Sequence, residues 1–366
     1  MRIVIKIGSN IIADAKAGLN ARRISSIAAQ VAAVRQAGHE AVIVSSGAVA
    51  AGTRKMGLAK KPVDIMLKQA AAATGQASLM WTYEKSFHKH KVTVAQVLLT
   101  RDGLANRKMY INAKNTLNAL LAHGVLPIIN ENDTVATEEI RFGDNDQLAA
   151  LVASLCEASR LIILSDVDGL YSANPQRDKK AKLIPTVTKI TDDLIACAGD
   201  TCFGSVGTGG MYSKVLAAQK AVQSGISVNI INGRRPAQIG SILSGKQAGT
   251  EFVANAERMT SKKGWIAYGS QTKGSITLDD GAVRAVVELG KSLLPSGIVE
   301  VSGSFQIGDA INCLDKGGKV IAKGLANYKA DDVRQIAGKK TTQIESTLGF
   351  KYSDEVIHRD NMVLVG

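Results

Sequence analysis

The 366-residue chain has few cysteines that could stabilise the fold through disulfides or a metal site, and it has no long apolar run that could anchor it in a membrane. Its four cysteines (Cys156, Cys197, Cys202 and Cys313) include no Cys-x-x-Cys pair and have no histidine cluster beside them, which argues against a structural zinc site. No apolar run approaches the roughly 20 residues that span a bilayer. Met1–Ile7 also lacks the apolar segment of a signal peptide. The sequence therefore predicts a cytoplasmic protein with reduced thiols.

Clustered positive charge is missing from the C-terminal part of the chain. The formal net charge is +13, but residues 256–366 hold 15 Lys and Arg against 13 Asp and Glu. The excess lies in residues 1–255, where 30 basic residues face 19 acidic ones. Because contacts to nucleic-acid phosphates usually need clustered Lys and Arg, the distribution favours a solvated basic surface that attracts anionic substrates.

Residues 1–256 alternate short β-rich runs with long helical patterns, which predicts an α/β fold. The strand candidates are Ile3–Ile7, Ala41–Ser45, Val92–Leu99, Val125–Ile129, Leu161–Ser165 and Ser227–Ile231. The helix candidates are Asn20–Ala37, Val63–His88, Arg107–His123, Asn145–Cys156 and Met211–Ser224. Several strands are continuous apolar runs, which is typical of strands buried on both faces. We expect an open, mainly parallel sheet sandwiched by helices.

After Ala256 the sequence pattern changes to short β-rich runs separated by glycine-rich turns. The strand candidates here are Trp265–Tyr268, Ser275–Leu278, Ile298–Ser302, Ala310–Leu314, Val320–Gly324 and Met362–Val365. Close spacing with turn signals predicts a small, mostly β barrel. We therefore expect an α/β domain over residues 1–256, a linker with a first short segment over 257–270, and a β domain over 271–366.

Ligands of open α/β sheets bind at the carboxyl ends of the strands, and two early strand ends carry unusual residues. Lys6 lies inside an apolar strand and is followed by Gly8, where a ligand can approach the backbone closely. Ser45 and Ser46, before Gly47, open a predicted helix and form an anion cradle. Each feature has an ordinary alternative, a lysine at a sheet edge or a serine that caps a helix.

A polar cluster follows the strand candidate Val125–Ile129. The segments Asn130–Asp133 and Gly143–Asp146 together place Asn, Asp or Glu at seven positions. One such residue is an ordinary turn former. Seven of them predict a polar pocket that holds a zwitterion or organises metal-bound phosphate.

Ser165 and Asp166 end another strand, and a glycine-rich loop at 207–214 places Lys214 just inside the next helix. The loop lacks the glycine that precedes the lysine of a Walker A motif, and it lacks the G-x-G-x-x-G spacing. Alone, it fits phosphate binding or an ordinary loop-to-helix junction. With Lys6 it supplies two ammonium groups, which suits phosphoryl transfer because that reaction depends on positioning and charge stabilisation. No activated His or Cys is evident, and a carboxylate acceptor needs no general base, since it is ionised near neutral pH.

The chain resembles the amino acid kinase superfamily, in its glutamate-phosphorylating branch, through five motifs: Lys-x-Gly-Ser, Ser-Gly-Ala-Val-Ala-Ala-Gly, Ile-Asn-Glu-Asn-Asp, Phe-Gly-Asp-Asn-Asp and Gly-Thr-Gly-Gly-Met-x-Ser-Lys. The resemblance covers the whole chain, because the β region is similar to the PUA domain of many members. It implies that residues 1–256 use ATP to phosphorylate the side-chain carboxylate of L-glutamate. The products would be L-glutamyl 5-phosphate and ADP, in the first step of proline biosynthesis.

The resemblance also implies roles for individual residues. Lys6 and Lys214 would contact the phosphates and stabilise the transition state, and Asp146 would hold both lysines. The residues implied to bind glutamate are Ser46, Asp133 and Asn145, with Asp133 paired to the substrate ammonium. The residues implied to bind ATP are Lys6, Ser165, Asp166, Thr208, Gly209, Gly210, Met211, Tyr212, Ser213 and Lys214.

The implied cofactor is Mg²⁺, carried by the phosphates of ATP rather than by a protein metal site. The implied partners are glutamate and ATP, proline as a feedback inhibitor, and further copies of the chain in a homo-oligomer. Neither a membrane nor a nucleic acid is expected as a partner.

Other functions fit the sequence less well. N-acetylglutamate has no ammonium for Asp133, which weighs against an acetylglutamate kinase. A uridylate or carbamate kinase would not call for an asparagine-rich pocket together with a β appendage. An RNA-binding or RNA-modifying factor would use the PUA-like region but has no evident use for the pocket at Asn130–Asp146.

Overall fold

The structure is a computed structural model that describes residues 1–14, 18–136, 145–173, 175, 178, 180–198, 210–254 and 259–365. The chain divides into two compact units. One comprises Met1–Leu104 and Lys108–Arg258, and the other comprises Ala105–Arg107 and Met259–Gly366. Within the described ranges, none of the helices combines the length and the apolar character that a membrane span requires.

The first unit is built around a mainly parallel sheet. Its strands are β1 (Arg2–Ile7), β4 (Glu40–Val44), β5 (Val94–Leu99), β6 (Leu126–Glu131), β7 (Arg160–Ser165), β8 (Thr186–Val187), β9 (Ser227–Asn232) and β10 (Thr250–Phe252). They pair in the order β5-β6-β4-β1-β7-β9-β10-β8, and only the β9–β10 pairing is antiparallel. Two short strands, β2 (Ala13–Asp14) and β3 (Gly18–Leu19), pair with each other.

Helices flank this sheet, so the expectation of an α/β fold with a mainly parallel sheet is confirmed. They are α1 (Ser9–Ile12), α2 (Ala21–Gln36), α3 (Ala48–Lys55), α4 (Ile65–His88), α5 (Arg101–Ala105), α6 (Arg107–Ala122), α7 (Asn145–Leu155), α8 (Asp192–Ala198), α9 (Met211–Gln223) and α10 (Gln238–Leu243). Side-chain caps define two of their starts: Asn20 Oδ1 accepts from Arg23 N at 2.9 Å, and Asp64 Oδ2 accepts from Leu67 N at 2.8 Å.

The core of the first unit follows from its sequence pattern. The apolar runs of β1 and β4 are buried, as the continuous hydrophobic stretches predicted. The apolar faces of α2 and α4 pack in the same hydrophobic cluster. Because parallel strands share one carboxyl edge, the order β6-β4-β1-β7 brings the ends of four neighbouring strands together.

Glycine allows an unusually close approach of α3 and α4. A Cβ atom built on Gly52 would lie 1.6 Å from the carbonyl oxygen of Ala71, and one on Gly75 would lie 1.9 Å from that of Ala48. Only glycine fits at both positions. The contact holds the first turn of α3, which follows Ser46, against the middle of α4.

The second unit contains a mixed five-stranded sheet. Its strands are β11 (Thr272–Leu278), β12 (Ile298–Gly303), β13 (Ala310–Leu314), β14 (Val320–Leu325) and β15 (Met362–Leu364), paired in the order β12-β11-β13-β14-β15. Its helices are α11 (Ser261–Gly264), α12 (Asp280–Val287), α13 (Ala330–Ile336) and α14 (Ile344–Leu348). Short 3₁₀ turns occur at Pro295–Gly297, Thr341–Gln343 and Arg359–Asn361.

One strand expectation in this unit is wrong. Trp265–Gly269 forms a π-helical turn that continues directly from α11. The amide of Ser270 donates to the carbonyl of Trp265 at 2.8 Å, five residues earlier. A short apolar run looks the same in a buried strand and in a buried helical turn, so periodicity could not separate the two here.

Candidate active site

Two lysines from distant parts of the chain meet at one carboxylate. Lys6 lies near the carboxyl end of β1, and its Nζ is 2.5 Å from Oδ1 of Asp146. Lys214 lies in the first turn of α9, and its Nζ is 3.0 Å from Oδ2 of the same residue. All three side chains are buried. The structure thus brings the side chains of Lys6, Asp146 and Lys214 together.

The electrostatics of this group favour an anionic ligand. Burial alone would raise the pKa of Asp146, but the charges of Lys6 and Lys214 hold that pKa well below its usual value. Asp146 is therefore an anion, and it neutralises only half of the positive charge beside it. The two ammonium groups are fixed in a buried place, where their interaction with a phosphate is weakly screened.

The start of α9 contributes further polar groups. Ser213 Oγ lies 3.1 Å from Asp146 Oδ2 and 3.1 Å from the carbonyl oxygen of Gly210, so its single proton can be donated to either. Gly210 is the N-cap residue and, as glycine, has no side chain that could cap the helix. The amide groups of the first turn therefore present partial positive charge at the site. Met211 is buried and Tyr212 is exposed, whereas Thr208 and Gly209 lie outside the described residues.

Ser165 and Asp166 lie at the end of β7. Ser165 Oγ donates to Asp166 Oδ1 at 3.3 Å, and Asn10 Nδ2 donates to Asp166 Oδ2 at 3.1 Å. Burial would raise the pKa of Asp166, but the hydrogen bond from Asn10 and the charge of Lys214 lower it. A Cβ atom on Gly8 would lie 3.2 Å from the carbonyl oxygen of Leu164, so the glycine also allows β1 to end close to β7.

A network of amides and hydroxyls forms the other side of the site. Asn145 Nδ2 lies 2.5 Å from the carbonyl oxygen of Ser45, 3.0 Å from Ser46 Oγ and 2.9 Å from Asn130 Oδ1. Asn130 Nδ2 in turn donates to Gln76 Oε1 at 2.8 Å. Two of the predicted glutamate-binding residues, Ser46 and Asn145, are thus brought together.

Sequence reasoning missed the contribution of α4 to this network. Gln76 contacts Asn130, and the hydroxyl of Tyr83 lies 2.8 Å from Ser45 Oγ. Burial raises the pKa of Tyr83, so its hydroxyl stays protonated. Both residues lie in the middle of a long helix, where no turn or strand end marks them. In the sequence, the one feature that could have indicated their role is that each places a polar group on the helix face that packs toward the sheet.

Asp133 lies on the turn after β6 and is partly exposed. Burial raises the pKa of Asp133 to about 6, an effect that the charge of Lys61 partly offsets. Within the part of the chain that the structure describes, Asp133 makes no hydrogen bond or ion pair, and this includes Ser46 and Asn145. Its carboxylate is available for a cation.

The side chains of the site offer few ligands for a resident metal ion. Within the described ranges, no group of three or more His, Cys, Asp or Glu side chains is arranged to hold one. Both oxygens of Asp146 face lysines.

A mainly parallel sheet with two lysines near its carboxyl edge is typical of α/β proteins that bind phosphate groups. Comparison with known protein families identifies the family of this chain. The sequence model of the amino acid kinase family matches residues 1–232, and that of the PUA domain matches residues 274–348. The chain therefore belongs to the amino acid kinase family.

Its similar proteins within that family are glutamate 5-kinases. The glutamate 5-kinase of Geobacter sulfurreducens is 48% identical over 364 residues, covering 100% of this chain and 97% of the relative. That of Caldanaerobacter subterraneus subsp. tengcongensis is 46% identical over 365 residues, covering 100% of this chain and 98% of the relative. The crystal structure of UMP kinase from Bacillus anthracis aligns with a TM-score of 0.48 and 16% identity, covering 70% of this chain and 96% of its own.

Proposed function

We propose that the chain transfers the γ-phosphoryl group of ATP to the side-chain carboxylate of L-glutamate. The products are L-glutamyl 5-phosphate and ADP, and the reaction is the first step of proline biosynthesis. The observation that carries this proposal is the contact of Lys6 and Lys214 with the buried carboxylate of Asp146, next to an amide network, in a chain whose relatives are glutamate 5-kinases.

The two lysines act on the phosphoryl group that is transferred. They contact the phosphates and balance the charge that develops in the transition state, and Asp146 holds both ammonium groups in place before the substrates bind. Preorganised charges of this kind stabilise a transition state without a reorganisation cost. The acceptor carboxylate is already ionised near neutral pH, so the residues that surround it have only to orient it.

Glutamate binds beside the amide network. Ser46 and Asn145 bind its carboxylates, and the Asn145 amide exchanges one of the acceptors that it now contacts for a carboxylate oxygen. Asp133 pairs with the substrate ammonium. The selectivity of this arrangement comes from Asp133, since a substrate without an ammonium leaves that carboxylate unpaired. Proline carries an α-carboxylate and a secondary ammonium at the corresponding position, and we propose that it inhibits the enzyme by occupying these contacts.

ATP binds at the ends of β1 and β7 and at the start of α9. Ser165, Asp166 and the loop Thr208–Lys214, with Gly209, Gly210, Met211, Tyr212 and Ser213, form its site together with Lys6. Mg²⁺ accompanies ATP and is held by the nucleotide phosphates, where it neutralises part of their charge. The structure supports this choice, because the oxygens of Asp146 are engaged by lysines.

The remaining assignments concern the whole protein. We propose a kinase domain at 1–256, a linker at 257–270 and a PUA-like domain at 271–366, which the division of the chain between Arg258 and Met259 supports. We also propose that the enzyme works in the cytoplasm as a homo-oligomer.

The test is ADP release from ATP and magnesium with glutamate, N-acetylglutamate, aspartate or UMP offered separately. Hydroxylamine traps an acyl phosphate as a hydroxamate. Hydroxamate formed with glutamate alone is the expected result. Turnover only with another acceptor would keep the two-lysine site and refute the glutamate assignment.

A further inference from the structure

A groove of about 690 Å³ lies between α2 and α4, and none of the active-site residues line it. The buried faces of the two helices pack in the hydrophobic core through residues such as Ile27 and Phe87. The groove follows the seam of the two helices and is lined from α2 by Arg22, Ser25 and Ser26, and from α4 and the residues after it by Lys85, Lys89 and His90.

The charge of this lining is of one sign. It includes the cations Arg22, Lys85 and Lys89, and no Asp or Glu. Within the described ranges, the side chains of Arg22, Lys85 and Lys89 make no ion pair and no hydrogen bond. These three side chains are exposed, so water screens their mutual repulsion, but together they attract an anion that enters the groove.

The groove residues share one face on each helix. Arg22, Ser25, Ser26 and Ala29 follow the i, i+3, i+4, i+7 spacing of an α-helix, and Lys85 and Lys89 are four residues apart. Side chains at these spacings point the same way. A ligand in the seam would therefore meet cations from both helices at once.

The helix dipoles account for the two lysines of the groove but not for the arginine. Lys85 and Lys89 lie at the C-terminal end of α4, where a cation stabilises the helix, so these two lysines alone need no ligand. Arg22 lies in the first turn of α2, which holds no acidic residue. A cation there opposes the positive end of the helix dipole. An anion in the groove would be attracted by Arg22 and by the start of α2 together.

Two hydroxyls in the groove are ready to donate. Thr82 and Ser86 use their hydroxyls on carbonyls of their own helix, at 2.8 and 2.7 Å. In contrast, Ser25 and Ser26 have no hydrogen-bond partner within the part of the chain that the structure describes. Both hydroxyls line the groove beside the basic side chains, so they can donate hydrogen bonds to phosphoryl oxygens.

We propose that the α2–α4 groove binds a small anion that carries two or more phosphoryl groups. A volume of about 690 Å³ exceeds the needs of one phosphate, and the cations approach from two helices. Lys85, Lys89 and Arg22 supply the charge, and Ser25 and Ser26 donate hydrogen bonds. This site is separate from the phosphate site at Lys6 and Lys214, and its existence does not depend on which acceptor the kinase uses.

The probe is inorganic tripolyphosphate, titrated into the full chain by calorimetry at low ionic strength. The test variant is Lys85→Ala/Lys89→Ala. The matched control is Lys182→Ala/Lys246→Ala, which removes the same charge from exposed side chains of the same unit. Inhibition by tripolyphosphate against ATP is measured in parallel, because it reports binding at the active site only.

We expect the test variant to weaken one binding event by tenfold or more, while the control and Lys85→Arg/Lys89→Arg keep it. The inhibition constant against ATP should stay the same in every variant, and added salt should weaken the groove event steeply. Identical isotherms for the test and control variants would overturn the proposal. It would also be overturned if the parent chain bound a short single-stranded RNA through Lys85 and Lys89 but did not bind tripolyphosphate there.

Discussion

Asn145 and Asp146 are consecutive residues whose side chains contact different halves of the active site. Asn145 Nδ2 lies 3.0 Å from Ser46 Oγ, whereas Asp146 Oδ1 lies 2.5 Å from Lys6 Nζ. Successive side chains at the start of a helix point about 100° apart, which is why one turn of α7 serves both groups. The acceptor side and the phosphate side of the reaction are thereby held in register by a single backbone segment.

Lys214→Ala should abolish turnover and leave the fold intact. The ammonium of Lys214 is a preorganised charge, and loss of one such group typically costs a factor of about 10² to 10³ in kcat. Lys6 still pairs with Asp146 in the variant, so no buried charge is left without a partner. Steady-state kinetics and circular dichroism check the two parts of this prediction.

The matched control is Lys220→Ala, six residues further along the same helix and outside the residues placed in the active site. Its kcat should stay close to that of the parent chain. A Lys214→Ala protein with parental kcat, or one that is unfolded, would contradict the role assigned to the lysine.

Asp146→Asn should lower the free energy of unfolding at pH 7 by about 3 to 5 kcal/mol, because it leaves two buried ammonium groups without their counter-ion. The pKa of Asp146 is lower in the folded protein than the ordinary value near ~3.9. Its ionised form therefore stabilises the folded state above that pH, and this contribution is lost as the pH falls through the folded-state pKa.

Urea unfolding at neutral and acidic pH tests this linkage. The difference between the parent chain and Asp146→Asn should be constant from pH 7 down to about pH 4 and should shrink only below it. Equal stability of the two proteins at pH 7 would show that the ion pairs do not stabilise the fold.

The pKa of Asp133, raised to about 6, predicts the pH dependence of glutamate binding. Below that pH the carboxyl group is protonated and cannot pair with an ammonium. We expect kcat/KM for glutamate to fall about tenfold per pH unit below pH 6, since kcat/KM reports the pKa of the free enzyme. The KM for ATP should not follow this profile.

The variant Asp133→Asn should have a lower kcat/KM for glutamate than the parent chain above pH 6, and its kcat/KM should not change through pH 6. If it kept the parental profile, another group would be responsible for the titration.

Gly52→Ala should destabilise the first unit strongly. The added Cβ atom would lie 1.6 Å from the carbonyl oxygen of Ala71, so α3 and α4 would have to separate. Overpacking of this kind costs about 1 to 3 kcal/mol, and more where backbone has to move. Thermal unfolding checks the prediction, with Gly240→Ala as the control.

Gly240 also lies in a helix, but a Cβ atom there meets only the far end of Gln30, at 4.0 Å. That substitution should be neutral or should add up to about 1 kcal/mol of stability, because it lowers the entropy of the unfolded chain. A similar loss of stability in both variants would show that the α3–α4 contact is not the cause.

The strands and the main site residues could be predicted because their signals are local. Continuous apolar runs marked β1 and β7. A lysine inside the first run marked Lys6, and a polar residue at the end of the second run marked Ser165. The expectation failed at Trp265, where a short apolar run proved to be a π-helical turn. A run of that length buries the same residues in either conformation, so only its packing decides the outcome.

The sequence by itself determined which residues stand at strand ends and helix starts, because periodicity and turn chemistry act over a few residues. Only the tertiary structure decided that Lys6 and Lys214 share one carboxylate, and that Gln76 and Tyr83 of α4 support the amide network. Those contacts depend on the strand order β6-β4-β1-β7 and on the close crossing of α3 and α4. Both are set by long-range packing, which no local pattern encodes.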